Sequence, residues 1–294
     1  MKLDGIYPPI PTPFDVSSGD IDPRALADNV RRWMQTGLRG ILALGSNGEA
    51  ALLDEGESDI VVATVREAMP RDRVLLVGTG RESTRAAVAA AVRAGALGAD
   101  AVLVRSPSFF KTQMSADALV AHYTAVADAS PVPVLLYNLP NVTGVMLTPS
   151  IVVRLAAHPN IVGMKETSPD LERLGQIVAL VPPSFIVLSG WAPVIYPALV
   201  TGARGGILAV ASVAPDASVR LFQDARDGRH AEALALQQRL TPLAQLVTAT
   251  YGIAGLKLAM ELAGYQGGPV RPPLLAAPAR AREEINAALV AIGD

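Results

Sequence analysis

A scarce lysine stands at the end of a strongly apolar run. The chain has 294 residues and 25 basic residues, yet only four of them are lysines: Lys2, Lys111, Lys165 and Lys257. Lys165 follows the apolar run Ile-Val-Gly-Met at 161–164. A lysine in this place is either a solvated strand terminus or a reactive amine, because its stem can be buried while its head reaches water.

Two other polar corners follow apolar runs. The sequence GSNGEA at 45–50 places Ser46 and Asn47 between two glycines, so that backbone N–H groups can turn toward an anion while the side chains add donors. This corner is either a cradle for a carboxylate or phosphate, or an ordinary glycine turn. Tyr137 ends the run at 134–137 and is either an acid–base phenol or a packing residue with a hydrated hydroxyl.

An amine, a phenol and an anion cradle at one end of a sheet form a coherent chemical set. Burial disfavours the charged form of an amine, so a buried lysine can act as a nucleophile near neutral pH. Such an amine forms a Schiff base with a ketone, and the imine then accepts electrons as an adjacent carbon–carbon bond breaks. The cradle would hold the carboxylate of a 2-oxo acid, and Tyr137 would move protons. The combination favours a reactive Lys165.

The elements that must position these residues alternate along the chain. Eight short apolar runs, each followed by a polar corner and a helical pattern, are typical of strands buried on both faces of a parallel sheet. They lie at 6–11, 40–46, 73–79, 101–106, 132–138, 161–167, 185–190 and 206–211. These units predict an α/β fold, a closed (β/α)8 TIM barrel over 1–227 with its active site at the carboxyl ends of the strands. An open doubly wound sheet is the alternative.

Helix boundaries and a C-terminal region are also predicted. Helical patterns at 229–250, 252–263 and 279–291 predict a C-terminal three-helix domain over 228–294. Within the barrel, helices are expected to begin after residues with side chains that can cap a helix N-terminus, namely Asp22, Asp54, Ser83, Ser115 and Thr148.

Composition excludes several classes of function. The net charge of −2 and the scattered basic residues argue against a nucleic-acid partner. Cysteine is absent, and the three histidines, His122, His158 and His230, show no metal-ligand spacing, so we expect neither a metal nor another cofactor. No window approaches 18 uninterrupted apolar residues, and the N-terminus lacks a signal peptide pattern. We therefore expect a cytoplasmic protein without a membrane partner.

The motifs taken in order resemble a known family, the pyruvate-dependent lysine Schiff-base lyases that include dihydrodipicolinate synthase and N-acetylneuraminate lyase. The resemblance covers nearly the whole chain and rests on PPIPTPF, GSNGE, VGTGRES, the corner YN-x-P-x-x-TG, GMKETS, Gly190 and GGILAVASV. It implies a TIM barrel with a C-terminal helical domain, assembled as a homotetramer of two tight dimers.

The resemblance also implies a role for individual residues. Lys165 would form the imine with pyruvate, and Tyr137 would be the acid–base phenol. Ser46, which would also take part in catalysis, and Asn47 would bind the pyruvate carboxylate. The remaining substrate-binding positions would be Ile207, by its backbone near the imine, and Thr167 and Gly190, near the distal part of the substrate.

Two departures from the family pattern bear on the substrate. Phe109 and Phe110 stand where the family usually has the second tyrosine of a proton relay through a neighbouring subunit. Val142 stands where dihydrodipicolinate synthase has an arginine for the carboxylate of its second substrate. The motifs GSNGE, HPNIVGMK and YGIAGLK are most similar to the 4-hydroxy-2-oxoglutarate aldolase branch, which yields pyruvate and glyoxylate.

Several alternatives remain open at the level of sequence. Within the same family, the protein could be a dihydrodipicolinate synthase that condenses pyruvate with aspartate semialdehyde, or a sugar-acid aldolase or dehydratase. Outside enzymology, a catalytically silent barrel could serve as a sensor or a scaffold.

Overall fold

The chain forms a barrel of eight parallel strands, described by a computed structural model over residues 2–293. The strands are β1 Gly5–Tyr7, β2 Gly40–Ala43, β3 Val74–Gly78, β4 Ala101–Arg105, β5 Val134–Asn138, β6 Ile161–Glu166, β7 Ile186–Ser189 and β8 Gly205–Ile207. They are hydrogen-bonded in the order β1-β8-β7-β6-β5-β4-β3-β2. The seam between β1 and β2 is closed just beyond β1, where Leu42 N–H donates to Pro8 O and Ile10 N–H donates to Leu42 O, both at 3.0 Å. The predicted (β/α)8 barrel is confirmed.

Helices surround the barrel and continue beyond it. They are α1 Pro23–Trp33, α2 Glu55–Ala68, α3 Thr84–Ala96, α4 Ala116–Ala129, α5 Pro140–Thr143, α6 Pro149–Ala156, α7 Leu171–Leu180, α8 Ile195–Thr201, α9 Pro215–Arg226, α10 His230–Gln245, α11 Gly252–Leu262 and α12 Arg280–Gly293. Four of the five predicted caps accept hydrogen bonds from the first turn: Asp22, Asp54, Ser83 and Ser115. Thr148 occupies the cap position of α6 but does not cap it, because its hydroxyl contacts Ser150 Oγ at 3.0 Å.

The side chains of each strand belong to two apolar layers. Alternate residues of a strand point to opposite faces, so one set fills the barrel interior and the other packs under the helices. The interior set includes Leu42, Leu76, Leu103, Leu135 and Leu188. This packed interior leaves polar side chains room only at the strand ends, which is where the candidate catalytic residues lie.

Three strands end three or four residues before the point that the sequence predicts. The runs at 6–11, 40–46 and 206–211 extend only to Tyr7, Ala43 and Ile207 as strands. Proline has no N–H to donate to a ladder, and two prolines follow Tyr7. Leu44 takes a left-handed conformation with φ 54°, and Ala209–Ser212 forms a 3₁₀ turn. The carboxyl ends of the strands are therefore corners rather than extended chain.

The C-terminal helices α10, α11 and α12 follow the predicted pattern. The predicted boundary at 227/228 lies in the turn between α9 and α10. Apolar residues beyond this turn, such as Leu240, Leu256 and Ile285, belong to the same hydrophobic cluster as the residues under the barrel helices. The division of the chain into two domains, 1–227 and 228–294, stays a prediction.

None of the helices within residues 2–293 combines the length and the apolarity needed to cross a bilayer.

Candidate active site

Lys165 and Tyr137 lie side by side at the carboxyl end of the barrel. They are direct register partners on the neighbouring strands β6 and β5, so both side chains point into the interior. Lys165 Nζ lies 3.3 Å from Tyr137 Oη and 4.4 Å from the centre of its ring. The side chain of Lys165 is only 4% exposed. The lysine is therefore a buried amine against a phenol and not a solvated strand terminus.

The GSNG corner brings a hydroxyl to the same phenol. Ser46 begins a 3₁₀ turn, Ser46–Gly48, directly after β2, and its Oγ lies 3.5 Å from Tyr137 Oη. The corner is flanked by Leu44 and Glu49, two residues other than glycine with left-handed φ values of 54° and 56°. Strained residues of this kind persist where the surrounding structure holds them, and they cluster at functional sites.

The side chain of Asn47 lies at the same corner but bonds to none of the other predicted site residues. It lies half-buried on the same turn as Ser46, and its amide makes no hydrogen bond among the described residues. The structure thus brings Asn47 to the corner without joining it to Lys165 or Tyr137.

Gly190 and Thr167 pack against the stem of Lys165. Gly190 follows β7, and its N–H donates to Glu166 O at 2.6 Å. A Cβ at this position would lie 2.5 Å from Thr167 Oγ1 and 2.8 Å from Lys165 Cε, so no side chain fits there. The hydroxyl of Thr167 is buried and has no hydrogen-bond partner among residues 2–293, which leaves it available to a ligand.

Ile207 completes the set on β8, the strand next to β7. It is the last residue of β8, is fully buried, and belongs to the interior cluster that contains Tyr137 and Leu188. The predicted site residues therefore lie at, or directly after, the carboxyl ends of four consecutive strands, β5 to β8, and at the corner after β2.

A buried carboxylate next to Lys165 escaped the analysis of the sequence. Glu166 points to the outer face of β6, where its side chain accepts hydrogen bonds from Asn138 Nδ2 at 2.8 Å, Ser168 N–H at 2.8 Å and Arg173 Nη2 at 3.2 Å. This network fixes the end of β6 against β5 and α7. The alternation of side chains along a strand could have revealed this carboxylate. If Lys165 points into the barrel, Glu166 must point under the helices, and a carboxylate buried there needs a cation.

Lys165 is not the only lysine that the fold buries. Lys257, on α11, is 2% exposed and lies 2.6 Å from Glu49 Oε1 as a buried ion pair. Burial lowers the pKa of the Lys257 ammonium, and the adjacent carboxylate of Glu49 opposes this shift. Lys257 was missed as a buried group because its partner is distant in sequence. Burial by itself does not distinguish the two amines, but only Lys165 contacts a phenol at the barrel mouth.

A cavity of about 840 Å³ opens above Ser46 and Tyr137. Its wall is largely apolar and includes Leu52, Leu139, Val142, Ile253 and Leu274. Lys165 itself does not line this cavity, which meets the candidate site at Tyr137, the phenol in contact with the Lys165 amine. Its volume is ample for a short 2-oxo acid.

Both arginines of this cavity are already paired with carboxylates. Arg81 Nε lies 3.0 Å from Glu55 Oε1, and Arg105 Nη1 lies 2.8 Å from Glu82 Oε1. Burial alone would raise the pKa of Glu82, but hydrogen bonds from the N–H groups of Phe109 and Ser108 and from Arg105 outweigh it and lower this pKa to about 2. Arg105 is thus paired with Glu82 through one nitrogen of its guanidinium, Nη1.

Comparisons with known proteins place this geometry in a family. The model of the dihydrodipicolinate synthetase family matches residues 2–292. A protein named 4-hydroxy-tetrahydrodipicolinate synthase from Methanospirillum hungatei is 34% identical over 289 residues, which cover 98% of each chain. A protein named probable mitochondrial 4-hydroxy-2-oxoglutarate aldolase from Emericella nidulans is 35% identical over 274 residues, which cover 91% of this chain and 88% of the relative.

Solved structures agree over the full length. The crystal structure of dihydrodipicolinate synthase from Thermotoga maritima superposes with a TM-score of 0.95 at 28% identity, covering 100% of this chain and 99% of the other. A buried lysine at a barrel mouth and a family match along the whole chain thus lead to one conclusion. The chain belongs to the dihydrodipicolinate synthetase family and is a carbon–carbon lyase of the class I, pyruvate-dependent type.

Proposed function

We propose that the protein cleaves 4-hydroxy-2-oxoglutarate to pyruvate and glyoxylate through an imine on Lys165. The contact of the buried Lys165 amine with Tyr137, which in turn contacts Ser46, carries this proposal. The amine attacks the C2 ketone and water leaves, so that an iminium forms. The C4 hydroxyl then loses its proton, the C3–C4 bond breaks with its electrons entering the iminium, and glyoxylate departs. Protonation at C3 and hydrolysis of the imine release pyruvate and restore the amine.

Each polar group has a place in this scheme. Tyr137 Oη, 3.3 Å from the amine, transfers protons as the imine forms and the carbon–carbon bond breaks. Ser46, as a catalytic and binding group, and Asn47 bind the pyruvate carboxylate at the strained corner. The unpartnered hydroxyl of Thr167, with Gly190 beside it, faces the distal part of the substrate. Ile207 lies against the imine from β8.

The valine at position 142 supports glyoxylate, rather than the longer aspartate semialdehyde, as the second molecule at this site. Its side chain is 73% exposed and lines the cavity at the place where the resemblance puts an arginine in dihydrodipicolinate synthase. A guanidinium binds a carboxylate through two parallel hydrogen bonds, and valine has no donor. Arg105 is paired with Glu82 through Nη1, so a substrate carboxylate would have to compete with Glu82 for this guanidinium.

Condensation of pyruvate with aspartate semialdehyde is the second candidate. It is favoured by the name of the Methanospirillum hungatei relative, which covers 98% of this chain. A sugar-acid aldolase or dehydratase of the same family is a further alternative.

The oligomeric state is a separate proposal. A homotetramer, implied by the resemblance, would cover the exposed rings of Phe109 and Phe110, and sedimentation analysis measures the mass of the assembly.

Borohydride trapping with pyruvate tests the imine. The expected result is one reduced pyruvate adduct on the peptide that contains Lys165, and none in Lys165→Ala. Lys257 is equally buried, but its ammonium is held by Glu49 away from the phenol, so it is the internal control. An adduct on Lys257 or Lys111, or full activity of Lys165→Ala, would refute the assignment.

The ratio of two reactions tests the substrate. We expect kcat/KM for cleavage of 4-hydroxy-2-oxoglutarate to exceed that for condensation with aspartate semialdehyde by at least about tenfold, the order of one lost hydrogen bond to a charged group. Val142→Arg should raise the condensation rate, and Val142→Gln, of similar length without the charge, should not. Comparable or faster condensation by the unmodified protein would restore the synthase function.

A further inference from the structure

Glu49 closes the catalytic corner in a conformation that requires support. It follows the turn that carries Ser46, has a φ of 56°, and buries its carboxylate completely. Its two oxygens are held by different parts of the C-terminal region. Lys257 Nζ lies 2.6 Å from Oε1, and Arg271 N–H donates to Oε2 at 2.8 Å.

Three groups surround the ammonium of Lys257. Besides Glu49, its Nζ donates to Pro269 O at 2.6 Å and lies 4.3 Å from the centre of the Phe14 ring. A buried ion pair depends strongly on both partners, because removal of one leaves the other charge uncompensated. Glu49 and Lys257 therefore form one unit, although one belongs to the barrel and the other to α11.

The segment 264–274, the Gly- and Pro-rich sequence GYQGGPVRPPL, ties this unit to the barrel. Arg271 donates hydrogen bonds from both terminal nitrogens to the carboxylate of Glu57, at the start of α2, at 2.8 and 2.7 Å. It also donates to Leu52 O at 3.0 Å. Gly267 lies so close to the backbone of α11 that a Cβ there would be 2.3 Å from Lys257 O. The segment thus joins α11 to the barrel at two points, Glu49 and Glu57.

We propose that Lys257 is a positioning residue for the aldolase site: its ion pair with Glu49 holds the left-handed turn that presents Ser46 to Tyr137 and to the carboxylate of pyruvate. Lys257 does not touch the substrate. It acts through Glu49. Without the ion pair, the strained backbone at Glu49 would be free to relax from its left-handed conformation. This inference rests on the proposed function, since it assumes that Ser46 binds pyruvate.

The test measures how the extent of borohydride labelling of Lys165 depends on pyruvate concentration. In Lys257→Met we expect the half-saturating pyruvate concentration to rise about tenfold, the order of one misaligned hydrogen bond to a charged group. The maximal labelling of Lys165 should stay at the level of the unmodified protein, because its own strand contacts are intact. Lys2→Met, which changes an exposed lysine, is the matched control and should bind pyruvate normally.

A second variant separates positioning from stability. Glu49→Gln keeps the size of the side chain and serves if Lys257→Met does not fold; it should show the same rise in half-saturation. In the double variant the defect should be no larger than in either single variant, because residues that act as a unit are not additive. Additive defects would overturn the proposal.

The outcomes also separate this inference from the proposed function. Failure of the unmodified protein to form any adduct would refute the proposed function. Normal half-saturation in Lys257→Met, or a loss of maximal labelling alone, would overturn the positioning role while the proposed function stands.

Discussion

Replacement of Gly190 by alanine perturbs the site by one methyl group. The added Cβ would lie 2.5 Å from Thr167 Oγ1 and 2.8 Å from Lys165 Cε. Ordinary contact begins near 3.4 Å, so the hydroxyl must retreat by about 0.9 Å and the lysine stem by about 0.6 Å. The φ of Gly190 is not left-handed, so alanine adds crowding and no backbone strain. The effect of Gly190→Ala therefore reports on the position of the amine.

The size of the effect follows from this displacement. A misplacement of about 1 Å can cost about 10²-fold in rate when it disturbs a near-attack geometry. We expect kcat/KM for aldol cleavage to fall by about that factor in Gly190→Ala, and trapping of Lys165 by pyruvate to slow in parallel. Overpacking of this kind also costs about 1–3 kcal/mol of stability, so urea unfolding must be measured beside the kinetics.

Gly56→Ala is the matched control. Gly56 lies in α2, where an added Cβ would meet its nearest neighbour, Asp54 Oδ1, at an ordinary 3.4 Å. Alanine also favours a helix over glycine, so this variant should keep its activity and its stability. A folded Gly190→Ala protein with kcat/KM within about threefold of the unmodified protein would refute the reasoning.

Two further predictions concern proton transfer and pH. Tyr137→Phe keeps the buried ring but loses the hydroxyl next to Lys165, so turnover should fall by about 10²–10⁴-fold with an unchanged circular dichroism spectrum; a loss below about threefold would assign the proton transfer to another group. Burial lowers the pKa of His122 in the folded state. The unfolded state then binds more protons as the pH falls through 6.5, so the free energy of unfolding should decrease there, and urea titrations of His122→Gln should show a flatter pH dependence. An unchanged slope in that variant would contradict the prediction for His122.

The barrel could be predicted because its signals are local. Each apolar run is short and continuous, as a strand buried on both faces requires, and helix starts follow from side chains such as Asp54 that bond to their own first turn. The strand ends were less accurate. Leu44 reads as an apolar strand residue, but the turn of the GSNG corner forces it into a left-handed conformation.

The candidate site was predictable to the extent that topology fixes it. Parallel strands end on one face, so Lys165 and Tyr137, each at the end of an apolar run, had to meet there. The family resemblance added Thr167 and Gly190, and the structure supplied the reason for the glycine, since the stem of Lys165 occupies the space of a side chain. That Asn47 would be without a partner side chain was not visible in its motif.

The sequence by itself therefore determined the order of strands and helices, the buried lysine at the end of β6 and the family, because all of these depend on neighbours along the chain. Only the tertiary structure decided which charges meet across the molecule. Nothing in the sequence near Glu49 or Lys257 indicates that the two residues form an ion pair. From the sequence, Lys257 is only a basic residue on an apolar helix. Buried charges need partners whatever their distance in sequence, and the partner is chosen by the packing of α11 and the 264–274 segment against the barrel.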